Sequence, residues 1–259
     1  FEDFINVKSW LDTKLHVNLL SLFEFLIFKV NSMNIAIWLE RTALKHPNRE
    51  ALFLGSECIG TYKDFWLAVC ALRVHLEKEG IKLGDRVAVY MPNCPEFLVA
   101  FYAVWSMGAV IVPINSKLHT KEVSWILENA ECSYVLGDAV LSSKITLPDV
   151  TVFTPKWEQL STDTEVPPVS CSFNDLAWLF YTSGTTGKPK GVMITHGMIK
   201  TMALSYFVDV DQVYPSDTTL YAAPMSHGAG LYSIMHVLAG SRHAIPVSGG
   251  FDEEEIFNL

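Results

Sequence analysis

Apolar and polar residues change their spacing several times along the chain, from a helical period to short runs of consecutive apolar positions. Residues 34–46 place apolar side chains on one face, which predicts a helix with Asn34 as its cap. Residues 62–79 repeat this period, and the Gly80 that follows is typical of a helix end. Two β-rich runs between these helices predict a hairpin: residues 50–55 and 59–62.

Strands and helices then alternate along the chain. One predicted helix starts near Pro95, and another has Thr120 as its cap. A third is expected near residues 231–238. This spacing implies parallel βαβ units whose helices cover the sheet, so the pattern indicates an α/β fold. The predicted strands lie in segments 86–91, 109–113, 133–137, 175–182, 191–195, 217–224 and 243–247.

A polar stretch with a Pro-Pro pair, residues 161–173, is typical of a surface connector. We therefore predict a first α/β sub-domain at residues 33–160 and a second at residues 174–259. The second sub-domain is expected to be incomplete.

The first 32 residues are treated separately because they are apolar without matching a known targeting pattern. Glu24 interrupts the apolar run, which is shorter than the roughly 18 residues that a spanning helix needs. The order of basic, apolar and cleavable segments in a secretory signal is also missing. Since Met33 opens a clean helical pattern, we expect residues 1–32 to be a non-native or upstream segment. An amphipathic surface anchor is the alternative.

Composition and charge narrow the function further. Half of the residues are hydrophobic and 18% are charged, which favours extensive buried surface or a part of a larger protein. A net charge of −9 without any basic run argues against nucleic-acid binding. Neither a zinc site nor a disulfide framework is expected, and a reducing, cytoplasmic location fits. The five cysteines are far apart and form no CxxC pair: Cys58, Cys70, Cys94, Cys132 and Cys171.

The segment YTSGTTGKPKGV, residues 181–192, holds three glycines, several Ser and Thr hydroxyls and two lysines between apolar runs. Glycines let backbone N–H groups converge on an anion, and hydroxyls and lysines add donors and charge, so polyphosphate is the predicted ligand. The segment lacks the spacing of a Walker A loop, since Pro189 follows Lys188 and the next residues are β-rich. It therefore lies between two strands. From composition alone, a plain polar turn remains the alternative.

The longer stretch LFYTSGTTGKPKGVMITH, residues 179–196, resembles the phosphate-loop signature of the AMP-forming adenylating enzymes. This superfamily includes acyl-CoA synthetases, peptide-synthetase adenylation domains and firefly luciferase. The resemblance extends from about Ile35 to Leu259: residues 84–136 are similar to the family's first sheet, and residues 221–232 to its acyl-pocket strand and helix. It implies that the chain forms part of the family's large N-terminal domain, with layered αβα sheets.

The resemblance also implies a reaction and a set of binding residues. In this family a carboxylate attacks the α-phosphorus of ATP, pyrophosphate leaves, and Mg²⁺ with a lysine stabilises the charge on the leaving group. Thr182 is also implied as a metal ligand, although no carboxylate partner is evident in the sequence. The residues implied to bind the β- and γ-phosphates of ATP are Thr182, Ser183, Gly184, Thr185, Thr186, Gly187 and Lys190.

Two features favour a carboxylic acid that is transferred to CoA. Asn115 stands where amino-acid activators of the family usually carry Asp, and PMSHGAG, residues 224–230, resembles the P-x-x-H-x-x-G of acyl- and aryl-CoA ligases. His227 and Gly228 are therefore implied to bind the substrate, while a structural role is the alternative for the histidine. Tyr206 and Phe207 are weaker candidates for the pocket wall. Three tryptophans are expected in the core: Trp105, Trp125 and Trp178.

Several motifs of the family do not occur in the sequence. They include the Y-G-x-T-E and T-G-D stretches and the lysine-bearing C-terminal domain. We therefore expect an N-terminal portion of an acid–CoA ligase that is inactive by itself, with a carboxylic acid, ATP and CoA as the partners of the parent. An amino-acid-activating domain and a non-catalytic remnant are the alternatives. Membrane association is expected to be peripheral at most, and a homodimer is left open.

Overall fold

The computed structural model describes residues 33–182 and 188–259. The predictions for residues 1–32 and 183–187 lie outside the described residues. The helices are α1 Ala36–Lys45, α2 Tyr62–Lys78, α3 Pro95–Ser106, α4 Thr120–Asn129, α5 Ala139–Ser142, α6 His196–Asp209, α7 Gly228–Ala239 and α8 Glu253–Asn258. The strands are β1 Glu50–Leu54, β2 Glu57–Thr61, β3 Arg86–Tyr90, β4 Val110–Pro113, β5 Tyr134–Gly137, β6 Thr151–Phe153, β7 Leu176–Thr182, β8 Lys190–Thr195, β9 Thr218–Leu220 and β10 Arg242–Ile245.

The described strands form two sheets. A six-stranded sheet has the order β6-β5-β3-β4-β7-β8, and a four-stranded sheet has the order β2-β1-β10-β9. In the first sheet all pairs are parallel except β7 with β8, while in the second only β1 with β2 is antiparallel. The predicted α/β class with parallel βαβ units is therefore confirmed, as is the early hairpin.

Helix α3 contacts both sheets and is the most buried of the described helices. Apart from Glu96, all its residues are buried, which explains why its sequence is apolar on every side. Trp105 on this helix donates its indole N–H to the carbonyl of Ala177 at 2.8 Å, and its ring centroid lies 6.0 Å from that of Trp178. The prediction of Trp105 and Trp178 as core residues is confirmed.

Local signals set most helix ends as predicted. Pro95 occupies the first turn of α3. The prediction of Asn34 as the cap of α1 was wrong by one residue: Ile35 directly precedes the helix and makes no side-chain cap bond, while Asn34 accepts the N–H of Ala36 at 3.0 Å. The prediction of Thr120 as a cap was wrong. Thr120 is the first helical residue of α4, and the extended residue before it is His119, whose Nδ1 accepts the N–H of Lys121 at 3.2 Å.

The stretch 161–173 has no regular secondary structure. Strands from both sides of it share each sheet: β7 pairs with β4, and β10 pairs with β1. The division into two sub-domains stays a prediction. Within the parts of the chain that the structure describes, no helix is both long and apolar enough to cross a membrane.

A buried polar network lies under the four-stranded sheet. Tyr62 donates its hydroxyl to the carbonyl of Ser241 at 2.7 Å and lies 3.3 Å from Nε2 of His243, whose Nδ1 is 2.7 Å from the hydroxyl of Tyr221. Burial, and to a smaller extent the nearby His236, lowers the pKa of His243 from 6.5 to about 3. Both ring nitrogens are thus satisfied in the neutral form.

We predict that acid destabilises the protein through His243 and through the buried His196, whose pKa burial lowers to about 4. The unfolded chain protonates these histidines below about pH 6.5 while the folded chain does not. Stability is therefore lost as the pH falls from about 6.5 towards 4, by up to about 1.4 kcal/mol per pH unit for each histidine. Urea unfolding across this range measures that slope.

His243→Gln should flatten the slope of unfolding free energy against pH, whatever its effect on stability at neutral pH. The exposed His119 offers a control, because His119→Asn keeps a good helix cap. An unchanged slope in His243→Gln would contradict the assignment of this acid sensitivity to the buried network.

Candidate functional site

Strands β4 and β7 run parallel and end side by side, at Pro113 and Thr182. The carboxyl edge of parallel strands is where open α/β sheets usually bind ligands. A cavity of about 200 Å³ opens at this edge. It is lined by Pro113, Ile114, Asn115, Leu118, Glu122, Ile126, Tyr181, Thr182, Pro189 and His227.

The β7–β8 hairpin presents the two ends of the predicted phosphate loop to this edge. Thr182 and Lys190 are cross-strand partners, and both are exposed. The predicted loop position between two strands is confirmed. A hydroxyl and an ammonium group thus stand opposite each other at the mouth of the hairpin, which suits an anionic ligand. The other predicted phosphate-binding residues, 183–187, lie outside the described residues.

His227 belongs to a different element but borders the same cavity. It is half-buried at the start of α7, where its Nδ1 lies 3.0 Å from the Ser226 hydroxyl and its ring meets Phe180 edge-on at 5.4 Å between centroids. Gly228 is the first residue of α7. The structure therefore brings His227 and Thr182 to one cavity, although they are far apart in sequence.

Asn115 also borders the cavity, and its Oδ1 accepts the N–H of Lys117 at 2.9 Å. This bond fixes the backbone that follows β4. Tyr206 and Phe207 lie on α6 and are not among the described residues that line this cavity. Their contribution to a pocket wall stays a prediction.

Asn93 is a supporting residue that the sequence did not point to. Its amide group donates to the carbonyls of Tyr221 and Ala223, each at 2.8 Å, and accepts the N–H of Met225 at 2.9 Å. The buried Asn93 follows β3 and so ties the carboxyl edge of the six-stranded sheet to the segment that carries His227. A polar residue directly after a parallel strand was the signal that could have identified it.

Trp125 was predicted as a core residue, but it is only half-buried. Its indole N–H donates to the carbonyl of Pro189 at 3.1 Å, and Nζ of Lys188 lies 4.0 Å from its ring centroid. A cation placed over an indole face is attracted by the ring quadrupole. Trp125 therefore lies at the margin of a buried hydrophobic cluster and contacts the residue just before β8.

Acidic groups near the cavity do not form a ready metal site. Glu122 is the one carboxylate among the described lining residues, and its Oε2 accepts the N–H of His119 at 3.1 Å. In the described ranges, no group of three or more His, Cys, Asp and Glu residues could hold a metal ion. The role of Thr182 as a metal ligand stays a prediction.

Comparison with known proteins identifies what the chain resembles. The family described as AMP-binding enzyme matches residues 39–257. A feruloyl-CoA synthase of Amycolatopsis is 30% identical over 204 residues, which cover 78% of this chain and 41% of that protein. A long-chain-fatty-acid–CoA ligase of Mycobacterium tuberculosis is 38% identical over 168 residues, which cover 60% of this chain and 33% of that ligase.

A solved structure of a fatty acyl CoA synthetase of Mycobacterium tuberculosis has the same fold, with a TM-score of 0.77 and 30% identity. The similarity covers 87% of this chain and 47% of that one. The chain thus spans less than half the length of these relatives. This likeness confirms the expected match to the N-terminal region of adenylate-forming enzymes.

We predict that Gly230→Ala disrupts the turn that carries His227. A Cβ at Gly230 would lie 2.0 Å from the carbonyl oxygen of Met225, which is backbone and cannot move without shifting the turn. The expected cost is about 1–3 kcal/mol of unfolding free energy. Thermal and urea unfolding measure it. Gly228→Ala is the matched control, since its Cβ would meet only the Tyr232 ring at 3.9 Å. Equal stabilities of the two variants would contradict this account.

Proposed function

The chain belongs to the AMP-binding enzyme family, and on this premise we propose that it forms part of an ATP-dependent carboxylic acid–CoA ligase. In the proposed reaction a carboxylate oxygen attacks the α-phosphorus of ATP, and the bond to pyrophosphate breaks. The thiol of CoA then attacks the acyl carbonyl of the adenylate, and AMP leaves. Because the chain covers under half of its relatives, this activity is proposed for the whole protein.

The observation that carries the proposal is the placement of Thr182, Lys190 and His227 around one edge of the sheet. Thr182 and Lys190 face each other across the hairpin, and Thr182 and His227 line the same cavity. An adenylation site must bring two anions together, the carboxylate and the triphosphate. The arrangement provides a hydroxyl and a cation for phosphate on one side and an imidazole for the acid on the other.

We propose that the phosphates of ATP bind along residues 182–187 and Lys190. Backbone N–H groups of a glycine-rich turn and the lysine would hold the pyrophosphate as it leaves. We propose that Mg²⁺ is bound chiefly by the phosphates of ATP, because the carboxylate of Glu122 already accepts a hydrogen bond from the N–H of His119. Thr182, which is exposed beside the cavity, is the residue proposed to reach the ion.

The acyl group is proposed to enter beside His227 and Gly228. Much of the cavity wall is apolar, which favours a carboxylic acid with a hydrophobic body. The relatives named above act, by their names, on an aromatic acid and on long-chain fatty acids. The chemical class proposed here is therefore an apolar or aromatic carboxylic acid, with ATP and CoA as the other substrates.

We predict that Lys190→Ala weakens ATP binding to residues 1–259 by roughly tenfold or more, because a charge-assisted contact to phosphate is lost. Titration calorimetry with Mg²⁺-ATP measures the affinity. Lys63→Ala on α2 is the control, since it removes a lysine from an element outside the site. Equal ATP affinity of the wild type and Lys190→Ala would reject the proposed phosphate site.

For the whole protein, we predict ATP–pyrophosphate exchange that depends on fatty or aromatic acids. The isolated chain is expected to release no pyrophosphate, since its sequence lacks the Y-G-x-T-E and T-G-D motifs of the family. A radiolabelled exchange assay with fatty, aromatic and amino acids tests the substrate class. Exchange with amino acids alone would favour the amino-acid-activating alternative over the CoA ligase.

A further inference from the structure

Helix α4 contacts both strands of the β7–β8 hairpin through two residues one helical turn apart. Trp125 donates its indole N–H to the carbonyl of Pro189, just before β8, at 3.1 Å. Asn129 accepts the hydroxyl of Tyr181, near the end of β7, at 2.6 Å. Positions i and i+4 share one face of a helix, so a single face of α4 meets both ends of the hairpin.

We propose that Trp125 and Asn129 are positioning residues that set the spacing and alignment of the two strand ends carrying Thr182 and Lys190. Neither side chain is placed to react with substrate. Each acts through a neighbour of the residues that do: Trp125 through Pro189, and Asn129 through Tyr181. The significance for ATP rests on the proposed function, whereas the positioning itself is a property of the fold.

Tyr181 couples the two strands as well as joining β7 to α4. A Cβ at Gly191 would lie 3.0 Å from Cζ of Tyr181, so the tyrosine ring passes close over the cross-strand partner. Glycine leaves the space that this ring occupies. The Tyr181 hydroxyl can therefore donate to Asn129 while the Tyr181 ring packs against β8 at Gly191.

Lys188 adds a third contact on the β8 side. Its Nζ lies 4.0 Å from the Trp125 ring centroid, so the indole holds both the carbonyl of Pro189 and the ammonium group two residues before Lys190. Such a contact is attractive even at an exposed site. Trp125 thus restrains the backbone leading into Lys190 through two different interactions.

Helix α4 is itself held in place by its cap and its buried face, so its position can determine the alignment of the two strand ends. Its first turn is closed by a mutual pair of bonds between His119 and Glu122, and its inner face is buried in a hydrophobic cluster. The contacts to the hairpin come from its outer residues, since Trp125 is half-buried and Asn129 is exposed. Their replacement should therefore spare the core and leave the chain folded.

Alignment matters because a preorganised site loses less conformational freedom when its ligand binds. If the strand ends separate or slide, Thr182 and Lys190 no longer meet one phosphate chain together. Loss of either contact should therefore lower ATP affinity without changing any group that touches ATP.

The test uses hydrogen–deuterium exchange of residues 1–259, followed at the amides of residues 181, 182, 188, 190 and 191. Trp125→Phe replaces the indole by a phenyl ring, which keeps an aromatic face but removes the N–H donor. Tyr181→Phe removes the hydroxyl. Each should speed exchange at these amides by roughly two- to tenfold, the range for one lost hydrogen bond. ATP affinity should fall by a similar factor while the melting temperature stays within about 2 °C of the wild type.

Three further variants distinguish loss of positioning from a general increase in mobility. Tyr134 lies on β5, another strand of the same sheet, and its hydroxyl is 2.8 Å from Nε2 of His75 on α2. Tyr134→Phe removes this hydroxyl and should leave exchange at the hairpin amides unchanged. Asn129→Asp keeps an oxygen for Tyr181, so it should behave like the wild type, whereas Asn129→Leu should match Tyr181→Phe.

Wild-type exchange at the hairpin amides in both Trp125→Phe and Tyr181→Phe would overturn the proposal, as would equal acceleration in Tyr134→Phe. Faster exchange with unchanged ATP affinity would overturn the link to ligand binding. If residues 1–259 bind no ATP, the proposed phosphate site of this chain fails, and the exchange rates still decide whether α4 positions the hairpin.

Discussion

The double pairing of β7 is the constraint on which the rest of the structure depends. It pairs parallel with β4 on one side, with Ile111 opposite Trp178, and antiparallel with β8 on the other. The parallel pair brings the ends of β4 and β7 to one edge, where the cavity opens. The antiparallel pairing of β7 with β8 reverses the chain direction, so that Lys190 lies opposite Thr182.

Buried residues of α3 hold β7 in this position. Trp105 bonds to the backbone of β7 at Ala177, and its ring packs near Trp178 on the same strand. Since α3 also contacts the four-stranded sheet, one buried helix fixes both sheets relative to each other. The edge that carries the candidate site is therefore supported by a deeply buried part of the described structure.

The site itself combines three segments that are distant in sequence. The hairpin supplies Thr182 and Lys190, the turn before α7 supplies His227, and Asn93 after β3 fixes that turn through three hydrogen bonds. Helix α4 meets the hairpin from outside. The ends proposed to bind the phosphates and the acid are thus held by different elements around one cavity, as the proposed joining of two separate substrates requires.

Much of this fold could be predicted from the sequence because strands, helices and turns leave local signals. The apolar runs predicted five strands of the six-stranded sheet, all but the short, largely exposed β6 at its edge. Gly80 and Gly108 mark helix ends where the backbone takes a positive φ. The cap of α4 was mistaken because Thr120 and His119 are adjacent, and the choice depends on which of them is extended. Only the backbone conformation distinguishes them.

The sequence by itself determined the α/β class, the order of most strands and helices and the position of the polar loop between two strands. The tertiary structure decided which distant residues meet: Asn93 with Met225, 132 positions away, and Trp125 with Pro189, 64 positions away. Secondary-structure signals extend over only a few residues, so they can be recognised from a short stretch of sequence. Contacts between segments depend on strand order and packing, which no short stretch of sequence encodes.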